Sequence, residues 1–198
     1  MDENEKSGFF KSKLDGISKL FVYHIAMCVF GIVVVLAVQM ITEHITGDRD
    51  MPLGIPAYIA AGFAVIVYCG LIYVAMWEKG ASDKIKIDGG RQKKNIAKGL
   101  LIWLIASSVD IAILLLIAIF SFIPFLDGAH GILSIVAMFY NGMYIPELAL
   151  LAGHGLSPLF LVTLIPAGLV AFLSYISGVS GQKCIFPEPK HERNRKLK

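Results

Sequence analysis

The sequence predicts an all-α fold, a polytopic transmembrane helical bundle, from three observations. The 198 residues are 56% hydrophobic and only 17% charged, a balance far from that of soluble domains. The apolar residues are gathered into runs of about twenty, the length that a helix needs to cross a hydrocarbon core of about 30 Å. The basic residues are confined to a few polar segments, as expected where charge sets membrane orientation. We expect four spans and one further outer segment that does not cross.

Residues 1–19 precede the first span and are expected to form a cytoplasmic interfacial segment. Phe10, Leu14 and Ile17 recur at helical spacing, while the neighbouring lysines lie off that stripe. Two interpretations are open: the segment recognises anionic lipid, or it is a lead-in that sets the angle of the first span. We favour the lead-in.

The first two spans are expected at about residues 20–41 and 55–77. The first carries one polar stripe, at His24, Cys28, Gly31 and Gln39. Because small residues allow close approach and polar groups avoid lipid, this stripe predicts a face that packs on other helices. We interpret His24, one turn inside the cytoplasmic end, as an interfacial hydrogen bonder rather than a ligand or proton carrier.

The stretch from Trp77 to Lys98 holds seven of the eighteen Lys and Arg residues, which places it in the cytoplasm by the positive-inside rule. Lysine and isoleucine alternate over residues 84–87, a pattern typical of extended chain with isoleucines on the membrane surface. The loop is either a docking site for a cytoplasmic partner or a plain topological signal. The residues expected to face lipid or a partner are Lys84, Lys86, Arg91, Lys93 and Lys94.

The third span is expected at about residues 100–123 and contains one acid, Asp110. Asp110 lies about eleven residues from the cytoplasmic end, which places it near mid-bilayer, where a carboxylate costs about 3 kcal/mol. Ser107 shares its face, and Tyr68 on the second span lies at a comparable depth. We therefore expect Asp110 to be hydrogen-bonded or protonated. These three residues form a candidate ligand or proton site, and the alternative role of Asp110 is an interhelical hydrogen bond.

The segment that follows is a harder case, because polar residues interrupt it. Its apolar run, residues 131–140, is too short for a span, and Asn141, Gly142 and Pro146 come directly after it. We expect residues 130–151 to form a re-entrant or interfacial segment on the outer side.

The fourth span is expected at about residues 156–177, followed by a basic cytoplasmic tail at 181–198. A fifth span at 130–151 would place this tail outside, against the charge rule. The transmembrane domain is thus expected to cover residues 20–180.

Several short stretches suggest a family likeness: Trp77 to Asp83, Gly90-Arg91, Ala97 to Leu100 and, more weakly, Tyr175 to Gly178. In these residues the chain resembles a group of small, uncharacterised multi-pass membrane proteins of clostridial-type Gram-positive bacteria. The resemblance implies a bacterial cell-membrane location. It implies no activity and no functional residue.

The sequence does not favour catalysis, and we expect a protein that is not an enzyme. Ser157 follows His154 without the elbow spacing of a serine hydrolase, and an aspartyl mechanism would need a second carboxylate beside Asp110. The histidines lack the close spacing of metal ligands, so we predict no metal site and no cofactor. A net charge of +3 does not indicate nucleic-acid binding.

Two classes of function stay open. The first, which we expect, is a non-catalytic membrane subunit that partners another protein through its cytoplasmic basic surface. The alternative is a small transporter or substrate-binding membrane component with a polar interior around Asp110. The expected partners are anionic lipid headgroups and either a cytoplasmic protein or further copies of the chain. Both termini are expected in the cytoplasm.

Overall fold

The computed structural model describes residues 3–47 and 54–185, and these contain seven α-helices, three short 3₁₀ segments and no β-strand. The predicted all-α class is confirmed. Our expectations for the link at 48–53 and for the tail beyond residue 185 lie outside the described residues.

The α-helices are α1 Glu3–Thr46, α2 Ile55–Asp88, α3 Lys98–Ala106, α4 Ser108–Phe120, α5 Asp127–Tyr140, α6 Ile145–Gly153 and α7 Leu164–Ser180. The 3₁₀ segments are Pro124–Leu126, Gly142–Tyr144 and Ser157–Thr163. Three helical stretches are long and apolar enough to cross a membrane: Gly16–Thr46, Ile55–Asp88 and Pro158–Ser180. The bent pairs α3–α4 and α5–α6 raise this number to as many as five. The protein is a multi-pass membrane protein.

Helices α1 and α2 are longer than the predicted spans. Helix α1 has 44 residues, so the expected interfacial segment and the first span form one helix, and both interpretations of that segment stay open. Helix α2 continues to Asp88, and the prediction of extended chain at residues 84–87 is wrong. Lysine and isoleucine are both compatible with a helix, and their alternation does not end it. The chain turns at Gly90, where a φ of 70° favours glycine.

Helix α1 packs antiparallel to α2, and α7 packs parallel to α2. Lys19 of α1 pairs with Glu78 near one end of α2, while Val35 packs on Ala57 and Ala61 near the other end. Gly178, near the end of α7, contacts Gly80, near the end of α2. Ala167, earlier in α7, lines the same cavity as Tyr68, earlier in α2. Residues later in α2 therefore contact residues later in α7, which shows that the two helices are parallel.

This parallel packing determines how often the intervening chain crosses. The ion pair between Lys98 and Asp83 shows that α3 begins beside the end of α2. To bring α7 parallel to α2, the chain between them must cross the membrane an odd number of times. We therefore expect one bent pair to cross as a broken span and the other to return to its own side, for a total of four crossings. The sharper bend, 100° between α5 and α6 against 67° between α3 and α4, fits the re-entrant element.

We predict that Gly128 and Gly153, at the two ends of the α5–α6 pair, lie on the same side of the membrane, opposite Lys93. Cysteines placed at each position in a chain without Cys28, Cys69 and Cys184 would report this through an impermeant thiol reagent. Both glycines have open space around the Cβ position, so the replacements are tolerated. Labelling of the two glycine positions from opposite sides would show that α5–α6 is a full span.

Candidate functional site

Two breaks in the helices, together with the junction of the last 3₁₀ segment and α7, meet at one small cavity inside the bundle, which we call the polar cavity. The breaks are at Ser107 between α3 and α4 and at 141–144 between α5 and α6, and the junction is at Thr163. Irregular backbone is tolerated at membrane depth only where it is buried in protein or lines a cavity. Discontinuous helices of this kind frame the binding sites of many transporters.

The break at Ser107 corrects the prediction of one continuous third helix. The backbone of Ser107 has φ −93° and ψ 9°, in the sparsely allowed bridge region, and α4 leaves at 67° to α3. Asp110 thereby falls in the first turn of α4 rather than in the middle of a helix. With this bend, the first turn of α4 lines the polar cavity through Asp110.

The break between α5 and α6 lies directly on α1. A Cβ on Gly142 would collide with the carbonyl oxygen of Cys28, and a Cβ on Gly31 would lie 2.5 Å from the backbone of Met143. No side chain fits between the two backbones, which makes both glycines necessary. The predicted packing face is confirmed at His24, Cys28 and Gly31, whose partner is the segment that we expected to be re-entrant, whereas the amide of the fourth member, Gln39, donates to Glu43 of the same helix.

Asp110 is buried and hydrogen-bonded, as predicted, but its partner was not foreseen. The amide Nδ2 of Asn141 donates to the Oδ1 of Asp110 at 2.6 Å. Ser107 and Tyr68, the predicted companions of Asp110, line the same polar cavity. The structure thus brings the three predicted residues together and adds Asn141 from a different helix break.

His24 is buried and bridges two elements beside the polar cavity. Its Nε2 lies 3.1 Å from the carbonyl oxygen of Tyr140, which can only accept, so Nε2 carries the hydrogen. Its Nδ1 then accepts from the hydroxyl of Tyr68, also at 3.1 Å. The hydrogen-bonding role predicted for His24 is confirmed, and the ring lines the polar cavity.

The polar cavity has a volume of about 10 Å³, which is room for about one water molecule. Two buried groups that line it, the indole Nε1 of Trp103 and the hydroxyl of Tyr144, have no hydrogen-bond partner among the described residues. A buried polar group without a partner is costly. The cavity therefore combines a carboxylic acid with unsatisfied hydrogen-bonding groups in a space that excludes larger ligands.

A second set of buried polar side chains, Asp83, Lys98 and Tyr175, links α2, α3 and α7, and we call it the Asp83 cluster. Lys98 Nζ lies 2.6 Å from the Oδ2 of Asp83, and the hydroxyl of Tyr175 donates to the same oxygen at 2.9 Å. The side chain of Asp83 is 0% exposed and that of Lys98 is 7% exposed. An ion pair this deeply buried depends on both partners being present.

Glycines allow the three helices to meet around the Asp83 cluster. A Cβ on Gly80 would lie 2.9 Å from the amide nitrogen of Val179, and a Cβ on Gly99 would lie 2.5 Å from the Cβ of Tyr175. The stretches that carry the family likeness, apart from Gly90-Arg91, each contribute residues to this contact. In this chain they form one packing unit that sequence reasoning did not assemble.

The predicted basic residues lie together at the end of the bundle formed by the α2–α3 connection, which we call the basic end. Arg91, Lys93 and Lys94 are exposed in that connection. Lys84 and Lys86 lie on the last turns of α2, and Lys84 reaches Gly181 at the end of α7.

The fold and the two buried sites define a class of protein, a multi-pass all-α membrane protein with broken helices around a buried acid. No protein-family model matches the chain, and no curated protein and no solved structure matches it. Within residues 3–47 and 54–185, no group of three or more His, Cys, Asp or Glu side chains could hold a metal ion.

Proposed function

We propose that the protein is a small proton-linked membrane transport component in which Asp110 binds the proton. The observation that carries this proposal is the convergence of two helix breaks on a buried carboxyl group. Ionisable residues inside a membrane usually mark ion or proton pathways. A cavity of about 10 Å³ is too small for a hydrated metal ion or an organic molecule, so a proton is the ligand that fits.

His24 and Tyr68 extend the proposed proton site toward the basic end. The Tyr68 hydroxyl and the His24 ring form a hydrogen-bonded pair on the wall of the polar cavity. Hydroxyl and imidazole groups both accept and donate protons, and such chains serve as proton relays in pumps and transporters. In this proposal Asp110 is the binding group, and His24 and Tyr68 carry the proton to and from it, a role that the sequence did not lead us to expect of His24.

We also propose a location in the bacterial cell membrane, with both termini in the cytoplasm. Helix α1 begins and α7 ends at the basic end of the bundle, because α1 is antiparallel and α7 parallel to α2. The positive-inside rule assigns the basic end to the cytoplasm. The family likeness supports the bacterial assignment.

A rapid pH change across protein-containing liposomes on a solid-supported membrane tests the proton role without knowledge of the transported substrate. Proton binding at a site inside the membrane displaces charge, so we expect a transient current with the wild-type protein. Liposomes without protein give the background. A wild-type signal no larger than this background would contradict the proposal.

A second candidate function is a membrane subunit that binds a cytoplasmic protein, and the exposed basic end favours it. Arg91, Lys93 and Lys94 are all exposed and lie in one short connection. Cross-linking in intact cells followed by purification should recover a stoichiometric partner such as an ATPase or kinase. Recovery should fall when these three residues are replaced by glutamine. Equal recovery with the triple variant would exclude the basic connection as the docking surface.

A further inference from the structure

The chain of hydrogen bonds from His24 toward Asp110 is interrupted at the polar cavity. The hydroxyl of Tyr68 donates to the Nδ1 of His24, and the Oδ1 of Asp110 accepts from Asn141. Among the residues that the structure describes, no hydrogen bond joins Tyr68 or His24 to Asp110. Tyr68 and Asp110 nevertheless line the same cavity. A group bound in that cavity is therefore needed to connect them.

Four polar groups of the cavity lining have hydrogen-bonding capacity left. The indole Nε1 of Trp103 and the hydroxyl of Tyr144 have no hydrogen-bond partner within residues 3–47 and 54–185, and both side chains are less than a tenth exposed. The oxygen of Tyr68 keeps lone pairs that accept hydrogen bonds, because its hydrogen is donated to His24. Asp110 accepts from Asn141 through Oδ1, which leaves Oδ2 as a further acceptor.

These four groups match the hydrogen-bonding pattern of one water molecule. An indole N–H only donates and a tyrosine hydroxyl is able to donate, so the water accepts from Trp103 and Tyr144. Its two hydrogens are then donated to Asp110 and Tyr68. Buried waters typically bridge two to four polar groups that would otherwise be unsatisfied. A volume of about 10 Å³ admits one water, and the indole N–H is not a ligand for a cation.

We propose that the polar cavity binds one water molecule, which connects Tyr68 to Asp110 and completes the proton relay. The binding of water rests on the polar groups of the cavity alone, whereas its relay role rests on the proposed proton function.

The proton transfer through this water leaves the intermediate groups unchanged. The imidazolium form of His24 gives its Nδ1 proton to the oxygen of Tyr68, whose hydroxyl proton passes to the water. The water gives one of its own protons to the carboxylate of Asp110. Tyr68 and the water each gain one proton and lose one, so the net change is a neutral His24 and a protonated Asp110.

Solid-state NMR of the full-length protein in phospholipid bilayers tests the binding of water. The chain has two tryptophans, so ¹⁵N labelling of the indoles gives two signals, and Trp77→Phe assigns them. We expect magnetisation transfer from water to the indole proton of Trp103, although this side chain is buried. Ala167→Val should abolish the transfer, because it fills the polar cavity and removes no polar group. Ala112→Val, at an exposed position of α4, is the matched control and should retain it.

The current driven by a pH change tests the relay role of the water. Ala167→Val leaves Asp110 in place, so we expect the same total displaced charge as in the wild type. The current should rise about tenfold more slowly, the effect expected from the loss of one hydrogen bond in the transfer path. Ala112→Val should leave the rate unchanged.

The two measurements separate failure of this proposal from failure of the proton function. Absence of magnetisation transfer to Trp103 in the wild type would overturn the proposal, and so would transfer that persists in Ala167→Val, because its source would be an exchanging hydroxyl proton. An unchanged current rate in Ala167→Val would exclude the relay role. A wild-type current at background contradicts the proton function, and the NMR signal then still decides whether water is bound.

A second pair of variants applies if Ala167→Val does not fold. Tyr144→Phe removes one hydrogen-bonding partner of the water and almost no volume, so it should weaken the transfer to Trp103 and slow the current. Tyr58→Phe makes the same change at a partly exposed position of α2 and should alter neither signal. Equal behaviour of the two variants would overturn the proposal.

Discussion

Replacing Lys98 by methionine is expected to lower the free energy of unfolding by about 3–5 kcal/mol, the usual cost of breaking a buried ion pair. The change removes the ammonium group 2.6 Å from Asp83 and leaves a carboxylate that is 0% exposed. The hydrogen bond from Tyr175 would be the remaining charge-stabilising contact that we identify. Equilibrium unfolding in bicelles with sodium dodecyl sulfate measures the loss.

Two further variants separate charge from packing in the Asp83 cluster. The double variant Asp83→Asn with Lys98→Met should recover most of the stability, because it removes both charges and keeps an oxygen acceptor for the Tyr175 hydroxyl. Lys93→Met makes the same side-chain change at an exposed position and should alter stability by no more than about 0.5 kcal/mol. If Lys98→Met costs no more than Lys93→Met, the ion pair does not hold the three helices together.

Replacing Asp110 by asparagine is expected to abolish the pH-driven transient current while the protein stays folded. Asparagine has nearly the same shape and keeps a carbonyl oxygen that accepts from the Nδ2 of Asn141, but it cannot bind a proton near neutral pH. The variant therefore removes titration and preserves the interhelical hydrogen bond. Current recorded from equal amounts of reconstituted protein is the measurement.

Asp88→Asn provides the matched comparison for this experiment, because Asp88 is an exposed acid at the end of α2. It undergoes the same chemical change outside the bundle and should leave the current unchanged. A full-sized current from Asp110→Asn would assign Asp110 to helix packing alone. Asp110→Leu should in addition destabilise the fold by about 1–3 kcal/mol, because the buried amide of Asn141 loses its acceptor.

Features that depend on local pattern were predictable from the sequence. The stripe at His24, Cys28 and Gly31 is a property of one helix, and its packing role follows from spacing alone. The bend at 141–144 occurs where the short apolar run 131–140 ends, at the polar interruption that the sequence shows, while the re-entrant interpretation of residues 130–151 stays a prediction. In each case the deciding information lies within about twenty residues.

Features that depend on contacts between distant residues were not predictable. Asn141 lies 31 residues from Asp110, and Tyr175 lies 92 residues from Asp83, so no helical periodicity connects either pair. Ser107 is not a helix breaker by composition, so its residue type does not predict the bend there. Lys98 looked like one more basic loop residue, although its position between Ala97 and Gly99, beside small residues, was a sign of close packing.

In the proposed proton role, the position of Asp110 one turn beyond a nine-residue α3 makes its proton occupancy sensitive to membrane voltage. That helix rises about 14 Å from Lys98, roughly half of a hydrocarbon core of about 30 Å. A proton that reaches Asp110 from the basic end therefore passes through about half of the transmembrane electric field. With about 2.3 kcal/mol per charge for 100 mV across the full thickness, a change of 100 mV alters proton occupancy by about sevenfold at low saturation. A change in membrane voltage would by itself cause Asp110 to bind or release a proton.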